Sequence, residues 1–386
     1  MSANTNTSLP EAELARTARQ MNLPGFSIRE QERLHNAHVL VIGAGGLGCP
    51  VMQALAATGV GEITVVDDDV VSLSNIHRQI LFGAADVGRK KVEVAAERLR
   101  ELQPGITIHA VDGRLDEANI VEHLEGIDVL IDGSDTFTTK FLAADAAEIT
   151  GTPLVWGSVL RYRGDVALWW SGSGAPAVRG VEGGVGMRDL YPAQPDPDSV
   201  PDCATAGVLG VTTSVVGGLM STEVVKFLTG IGTGGGAANH AANVGRLHIY
   251  DALTATIRHF NVTRDPAREL VTELGEYAGA CAVPSDEGIE LISMLERGDA
   301  VSLDVREPHE KVLSDIAVPG PNLPMSELDQ AGRVDDVLAQ LPAGDVVVYC
   351  AGGVRSAKFV EQFGEVARER GLTLHSLPGG AQRWGQ

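Results

Sequence analysis

The residue best suited to covalent chemistry is Cys350, in the segment Tyr349-Cys-Ala-Gly-Gly-Val-Arg355-Ser356. This segment follows a strongly apolar run typical of a strand and precedes a helical pattern. The N–H groups of a helix N-terminus and the charge of Arg355 favour a thiolate and would stabilise an anionic persulfide. A C-x5-R loop serves phosphatases, and Arg355 is the fifth residue after Cys350, one position short of that spacing, so phosphate chemistry is kept as an alternative.

A second segment suited to chemistry is rich in glycine. Gly43-Ala-Gly-Gly-Leu-Gly48 lies between a predicted strand, His38–Ile42, and a predicted helix. Glycines let the backbone approach phosphates, and the helix N-terminus offers unpaired N–H groups. Asp67 ends the next predicted strand, where a carboxylate accepts hydrogen bonds from ribose hydroxyls. Taken alone, the pattern predicts a dinucleotide site with NAD as the default ligand.

Further charged residues favour a nucleoside triphosphate over NAD. Arg78 and Lys91 place two cations soon after the ribose-binding strand, and Asp135 follows the fourth predicted strand. Two cations and a carboxylate able to hold Mg²⁺ suit ATP, whereas a nicotinamide needs neither. Taken singly, Arg78 and Lys91 are better explained as solvated surface charges, and Asp135 as the cap of the helix that follows.

Strand and helix patterns alternate from His38 to about Ser158, which predicts an α/β fold with a doubly wound, Rossmann-like domain and a mostly parallel sheet. The expected organisation begins with a larger α/β domain at 1–265, which has a mobile terminus at 1–14, one helical pattern from Glu11 to Arg33 and a crossover loop at 171–205. A linker at 266–287 and a smaller α/β domain at 288–386 follow.

Composition excludes some classes of function. The 386 residues include 51 acidic and 30 basic side chains, a formal net charge of −21, which argues against nucleic acid and anionic membranes as partners. Four cysteines without a C-x-x-C pair fit a reducing cytoplasm. Two long uncharged stretches, Val39–Gly61 and Cys203–Thr222, are broken by Gly, Ser or Thr and fit a buried core better than a membrane span.

From about Arg16 to Arg264 the sequence resembles the MoeB/ThiF family, which adenylates ubiquitin-like sulfur carriers. The resemblance rests on Gly43–Gly48, Asp67-x-Asp69, Ser72-Leu-Ser-Asn75, Arg78-Gln79, Lys91 and Ser134-Asp135. It implies that ATP adenylates the C-terminal Gly-Gly carboxylate of a small carrier protein and releases pyrophosphate. The nucleotide-binding residues that it implies are Gly43, Gly45, Gly46, Asp67, Asp69, Ser74, Asn75, Arg78, Gln79, Lys91, Asp135 and Thr136.

The same resemblance implies a catalytic ion and a partner subunit. Asp135 would carry the Mg²⁺ that accompanies ATP. Arg19, in Arg16-x-x-Arg19-Gln20, would reach into the active site of a neighbouring subunit and neutralise phosphate charge, which implies a homodimer. Thr136 and Lys140 stand where the family usually has Asn and Arg.

Many relatives bind a structural zinc through two C-x-x-C pairs. The corresponding segments here are Gly186–Tyr191 and Asp265–Arg268, and neither contains a cysteine. A zinc site made of four cysteines needs all four thiolates within tetrahedral reach, so we expect no zinc site.

Residues 288–386 resemble the rhodanese family. The matching motifs are Asp304-Val-Arg306-Glu307, Val318-Pro-Gly320, Leu377-Pro-Gly-Gly380 and Trp384. This resemblance favours sulfur transfer over phosphatase chemistry, with Cys350 taking sulfur from thiosulfate or from a persulfidic protein. Cys203, just before a predicted helix, resembles a family cysteine that bonds covalently to the carrier or its sulfur. A small buried residue is the alternative there.

The two chemistries fit together. A carrier adenylate is an activated acyl group, and a persulfide is a strong nucleophile that would convert it to a thiocarboxylate. Such sulfur would serve molybdopterin or thiamine biosynthesis or another pathway. Two alternatives are an NAD-dependent oxidoreductase with a phosphatase-like C-terminal domain and a non-catalytic scaffold that binds a carrier.

Overall fold

The computed structural model describes residues 9–195, 207–232, 243–277, 286–312, 315–330 and 332–385, and the chain divides into two compact units between residues 278 and 279. The helices described in the first unit are α1 (Glu11–Thr17), α2 (Ile28–His35), α3 (Gly48–Thr58), α4 (Lys91–Leu102), α5 (Ile120–His123), α6 (Phe137–Thr150) and α7 (Gly210–Thr229). Its strands are β1 (His38–Ile42), β2 (Glu62–Asp67), β3 (Thr107–Asp112), β4 (Val129–Asp132), β5 (Leu154–Leu160), β6 (Arg163–Ser171), β7 (Gly184–Val185), β8 (Arg246–Asp251) and β9 (Thr256–Asn261).

These strands form one sheet in the order β3-β2-β1-β4-β5-β6-β8-β9, with β7 paired to β6. Strands β1 to β5 are parallel, and the pairs from β5 to β9 are antiparallel. Successive residues such as Val39, Leu40 and Val41 are all fully buried, as expected for strands covered on both faces. The α/β fold with a mostly parallel sheet is therefore confirmed. The strand order reverses between β1 and β4, and ligands bind in open sheets at the crevice beyond such a reversal.

The N-terminal segment differs from the sequence-based expectation in two respects. Residues 11–14, expected in a mobile terminus, form the first turn of α1, in which the side chain of Glu13 is buried against Arg16. The single helical pattern from Glu11 to Arg33 is in fact two helices. Gly25 turns the chain with φ of +78°, and Ser27 begins α2 with a capping box to Glu30.

The expected crossover loop at 171–205 is partly structured. Ser171 ends β6, β7 pairs with it, and a 3-10 turn follows at Met187–Asp189. Val178 and Val185 are buried in the main core. In so short a segment, the buried residues do not recur at the spacing of a helix or a strand. The sequence therefore has the composition of a loop although two of its residues lie in the core. Cys203 lies outside the described residues.

Part of the expected linker at 266–287 packs on the first unit. The guanidinium of Arg268 bonds to Glu148 and Asp189, and the hydroxyl of Tyr277 donates to Asp145 Oδ2 at 2.8 Å. Residues 268–277 are therefore held by α6 and the Met187–Asp189 turn.

The second unit is a smaller α/β unit. Its described elements are α8 (Asp286–Arg297), β10 (Ala300–Asp304), α9 (Arg333–Leu338), β11 (Gly344–Tyr349), α10 (Val354–Glu369), β12 (Leu372–Ser376) and α11 (Gly380–Trp384). The strands form a parallel sheet in the order β10-β11-β12, with apolar clusters on both faces. Within the described part of the whole chain, every helix is too short or too polar to cross a membrane.

Candidate active sites

The loop after β1 is shaped by close backbone contacts. Gly43 has φ of +87° and donates its N–H to Val66 O at 2.9 Å. A Cβ at Gly48 would lie 1.8 Å from Gly43 O, so only glycine fits the start of α3. A Cβ at Gly45 would find no neighbour nearer than 3.9 Å, and one at Gly46 would meet Thr213 of α7 at 3.2 Å. The loop therefore has open space beside Gly45, where a phosphate could approach the backbone.

Asp67, at the end of β2, is joined to this loop. Its carboxylate accepts the N–H of Ala44 at 2.7 Å and that of Asp69 at 2.9 Å. Burial raises the pKa of Asp67, and the charge of Lys91 acts in the opposite direction. Asp67 thus fixes the glycine loop in addition to its predicted role at the ribose.

Lys91 is the first residue of α4 and lies beside the end of β2, where it bonds to Asp69. Its side chain is 4% exposed, and its Nζ donates to Asp69 Oδ2 at 2.7 Å, whereas Asp69 is 65% exposed. A surface lysine would be solvated, so burial favours the predicted site role over the alternative of a surface charge.

The segment from Ser74 to Gln79 completes this side of the crevice. Arg78 Nη2 donates to Asn75 Oδ1 at 2.7 Å, and Nη1 donates to the carbonyl of Ser74 at 3.3 Å. The stem of Arg78 lies against Gly46. Gln79 is buried near Gly45, and its Oε1 has no partner among the described residues. Buried polar atoms are nearly always paired, so this oxygen fits a site built for a ligand donor.

The loop after β4 faces the glycine loop from the other side. Gly133 O would lie 3.4 Å from a Cβ at Gly43. Thr136, predicted to bind nucleotide, caps α6 by accepting the N–H of Thr139 at 3.3 Å. The alternative that Asp135 caps this helix is therefore wrong, and its exposed carboxylate remains able to hold Mg²⁺.

Lys140, in place of the family's usual arginine, is an internal residue. Its Nζ donates to Asp132 Oδ2 at 3.1 Å and to Gly157 O at 2.6 Å, and it lies 5.4 Å from the centre of the Trp156 ring. Lys140 and Asp132 are 4% and 0% exposed. The pair holds α6 to β4 and β5, and nothing in its sequence spacing predicted it.

Arg19 is not brought to the nucleotide site of its own chain. It is exposed, and the neighbouring Gln20 bonds to Thr58 O at the C-terminal end of α3. The glycine loop lies at the opposite end of this 11-residue helix, about 16 Å away at 1.5 Å per residue.

In the second unit, Cys350 follows β11 and is fully buried. Its Sγ accepts the N–H of Gly353 at 3.0 Å and lies 3.7 Å from Ser356 Oγ. Gly353 has φ of +97° and precedes the 16-residue helix α10. The loop therefore turns an N–H group onto the sulfur, as predicted from its glycines.

Arg355, expected to act on the thiol, forms an ion pair that the sequence did not predict. Its Nη1 donates to Glu310 Oε2 at 2.7 Å, and its Nη2 donates to Glu310 Oε1 at 2.5 Å. These hydrogen bonds, against the effect of burial, raise the pKa of Arg355. The two residues are separated by 45 positions, so no local motif indicates the contact.

The other matching motifs of this unit build the scaffold of the Cys350 loop. Arg306 is 2% exposed and bonds to Asp304 and Asp315. A Cβ at Gly380 would lie 2.2 Å from Cys350 O, so the segment Leu377–Gly380 closes against the loop. Cys49, by contrast, packs in the first core, and burial raises the pKa of its thiol to about 12.

Comparison with known proteins agrees with this geometry. The model of the ThiF family matches residues 17–270. The probable adenylyltransferase/sulfurtransferase MoeZ of Mycobacterium tuberculosis is 39% identical over 365 residues, covering 91% of this chain and 88% of that protein. The sulfur carrier protein adenylyltransferase of Thermus thermophilus is 44% identical over 254 residues, covering 66% and 89%. Adenylyltransferase and sulfurtransferase MOCS3 of Anopheles gambiae is 30% identical over 408 aligned positions, covering 99% and 88%.

Solved structures agree in fold. PaaA matches with a TM-score of 0.53 at 22% identity, covering 68% of this chain and 78% of that one. E. coli MccB with ATP matches with a TM-score of 0.51 at 20% identity, covering 69% and 75%. The family model and the relatives that span most of the sequence lead to one conclusion: this chain belongs to the ThiF family.

Proposed function

We propose that this chain uses ATP to adenylate the C-terminal Gly-Gly of a ubiquitin-like sulfur carrier and then converts the adenylate to a thiocarboxylate with persulfide sulfur held on Cys350. The observation that carries the proposal is the pairing, in one chain, of a ThiF-family nucleotide crevice with a cysteine whose Sγ accepts an N–H at the start of a helix. Relatives named as both adenylyltransferase and sulfurtransferase cover most of the chain and support it.

The nucleotide crevice provides the groups that adenylation needs. The open backbone at Gly45 would receive phosphate oxygens, and Asp67 and Asn75 would bind the nucleoside. Arg78 and Lys91 would stabilise the negative charge that grows as pyrophosphate leaves. Mg²⁺, when bound, neutralises phosphate charge, and the exposed carboxylate of Asp135 would hold it.

The sulfur step takes place at Cys350. The N–H of Gly353 would stabilise the persulfide anion, whose terminal sulfur attacks the carbonyl carbon of the carrier adenylate and displaces AMP. Two equivalents of a thiol reductant then cleave the S–S bond, which leaves the thiocarboxylate and the Cys350 thiol and oxidises the reductant to its disulfide; Cys203 is our candidate for a transient covalent bond to the carrier's sulfur during transfer. The partners would be a Gly-Gly carrier, a sulfur donor and a second copy of this chain.

The test combines the full chain, ATP, Mg²⁺, a Gly-Gly carrier, a sulfur donor and a thiol reductant, with carrier mass, pyrophosphate and AMP as readouts. C350A should lose thiocarboxylate formation while retaining carrier-dependent release of pyrophosphate, because adenylation precedes the step in which the persulfide displaces AMP. C281A, at a thiol with no assigned role, is the matched control and should behave as wild type. Full thiocarboxylate formation by C350A would refute the sulfur role, and absence of carrier-dependent AMP from wild type would favour a non-catalytic scaffold.

A further inference from the structure

The ion pair of Arg355 with Glu310 bears on which molecule supplies the sulfur. Both Nη atoms of Arg355 bond to the two oxygens of Glu310, so the bidentate edge of the guanidinium is filled by a carboxylate of the same chain. The side chains are 21% and 15% exposed, so solvent screens the pair only partly. Glu310 also accepts the N–H of Glu307 at 2.8 Å, which fixes its position.

One donor of Arg355 remains available. Its Nε is buried and has no partner among the residues that the structure describes. Besides the hydrogen bonds to Glu310, the negative charge of Cys350 acts to raise the pKa of Arg355. A buried N–H without a partner is costly, so this edge is suited to an incoming acceptor.

The charge of Glu310 affects possible donors differently. Burial alone would raise the pKa of Glu310, but the bonds from Arg355 and from the Glu307 N–H outweigh it and hold that pKa below its usual range. The carboxylate is therefore ionised at neutral pH. Thiosulfate carries two negative charges and would compete with Glu310 for the bidentate edge of Arg355. A persulfide R–S–S⁻ carries one negative charge on its terminal sulfur and needs only a single donor such as Nε.

We propose that Glu310 determines donor specificity at Cys350, disfavouring small dianionic donors and favouring the persulfide of a cysteine. This inference rests on the proposed sulfur-transfer function. In the step, the Cys350 thiolate attacks the terminal sulfur of R–S–S⁻, and the new S–S bond forms at Cys350 as the donor's S–S bond breaks. The bonding pair leaves with R–S⁻, so charge balances and there is no net oxidation or reduction.

The test is E310Q in the full chain, because glutamine keeps the size of the side chain and removes its charge. Sulfur transfer to cyanide is measured as thiocyanate, with two donors: thiosulfate, and the persulfide of N-acetylcysteine methyl ester, which is charged only at its terminal sulfur. We expect kcat/KM for thiosulfate to rise by roughly tenfold or more, and kcat/KM for the persulfide to change by less than about threefold. E327Q is the control, since Glu327 pairs with Arg333 in the same unit and should leave both values unchanged.

The outcomes separate the inference from the proposed function. No sulfur transfer by wild type from either donor would refute the function. Transfer from the persulfide by wild type, with no gain for thiosulfate in E310Q or with an equal gain for both donors, would refute the role of Glu310 alone. If E310Q does not fold by circular dichroism, E310A serves as the second variant with the same expected change in donor ratio.

Discussion

Arg268 is the side chain whose removal should destabilise the first unit most clearly. Its Nη1 and Nη2 donate to the two oxygens of Glu148 at 2.9 and 3.0 Å, and its Nε donates to Asp189 Oδ1 at 2.7 Å. Glu148 and Asp189 are 2% and 0% exposed, and Arg268 is 13% exposed. These bonds join Gly186–Tyr191 to Asp265–Arg268, the two segments compared above with zinc-binding segments of relatives.

R268A would leave two buried carboxylates without their cation. Removing one partner of a buried ion pair costs about 3–5 kcal/mol, and with two carboxylates affected we expect the upper part of that range. Domains of this kind have roughly 5–15 kcal/mol of total stability, so the variant should unfold at a much lower urea concentration. Tryptophan fluorescence is a suitable probe because three of the four tryptophans, Trp156, Trp169 and Trp170, belong to the first unit.

R297A is the matched control because Arg297 pairs with Glu290 and Asp299 on the surface, where all three side chains are more than half exposed. Exposed pairs contribute at most about 1 kcal/mol, so the control should be close to wild type. A loss of less than about 1 kcal/mol in R268A would refute the inference that this arginine compensates buried charge.

The same network predicts a pH dependence. Burial would raise the pKa of Glu148, but hydrogen bonds from Arg268, Ser171 and the Val271 N–H lower it below the ordinary 4.5. A lowered folded-state pKa gives stability that is present above the unfolded pKa and is lost as pH falls through the folded value. The difference between wild type and R268A in unfolding free energy should therefore be constant at neutral pH and shrink as pH falls below about 4.5. A difference that grows on acidification would contradict this sign.

Three further outcomes are expected. D67N should weaken ATP binding by roughly tenfold in pyrophosphate exchange, since its amide N–H2 would face the Ala44 N–H that the carboxylate now accepts; unchanged exchange would show that the loop does not depend on this contact. K140M should cost about 3–5 kcal/mol in urea unfolding by leaving the buried Asp132 carboxylate without its cation, and adding D132N should recover part of that loss. R19A mixed with D135A should regain carrier-dependent AMP release if Arg19 acts in a partner's site, whereas additive loss would argue against such a dimer.

The sequence predicted the parallel half of the first unit well because its strands are apolar on both faces. β1 and β4 have short continuous apolar runs ended by Gly or Asp, and the apolar run of β2 is interrupted only by Thr64 before Asp67. β9 was missed because every residue of this edge strand is exposed, so its sequence lacks a buried face to reveal it. The break between α1 and α2 had a local signal, Ser27-x-x-Glu30 after Pro24-Gly25, which the helical pattern obscured.

The features of the candidate sites also divide into those that the sequence could predict and those that it could not. Gly43, Gly48 and Gly353 are required by local backbone geometry, so the turns that they form could be inferred from neighbouring residues alone. The partners of the charged residues could not. Glu310 reaches Arg355 across 45 positions, and Arg268 reaches Glu148 across 120. Such pairs depend on the packing of whole elements, and a single sequence contains no pattern that specifies them.

These pairings change how the cations of the two sites should work. Lys91 and Arg355 are not free positive charges, because they already form ion pairs with Asp69 and Glu310. An anion that enters either site must replace or share bonds to a carboxylate, so it gains less than it would from a free cation. A ligand whose oxygens also meet the backbone N–H groups of the neighbouring loop recovers that loss, whereas an unrelated anion does not. In a chain with a net charge of −21, selectivity for the correct anion therefore comes from this exchange more than from attraction at a distance.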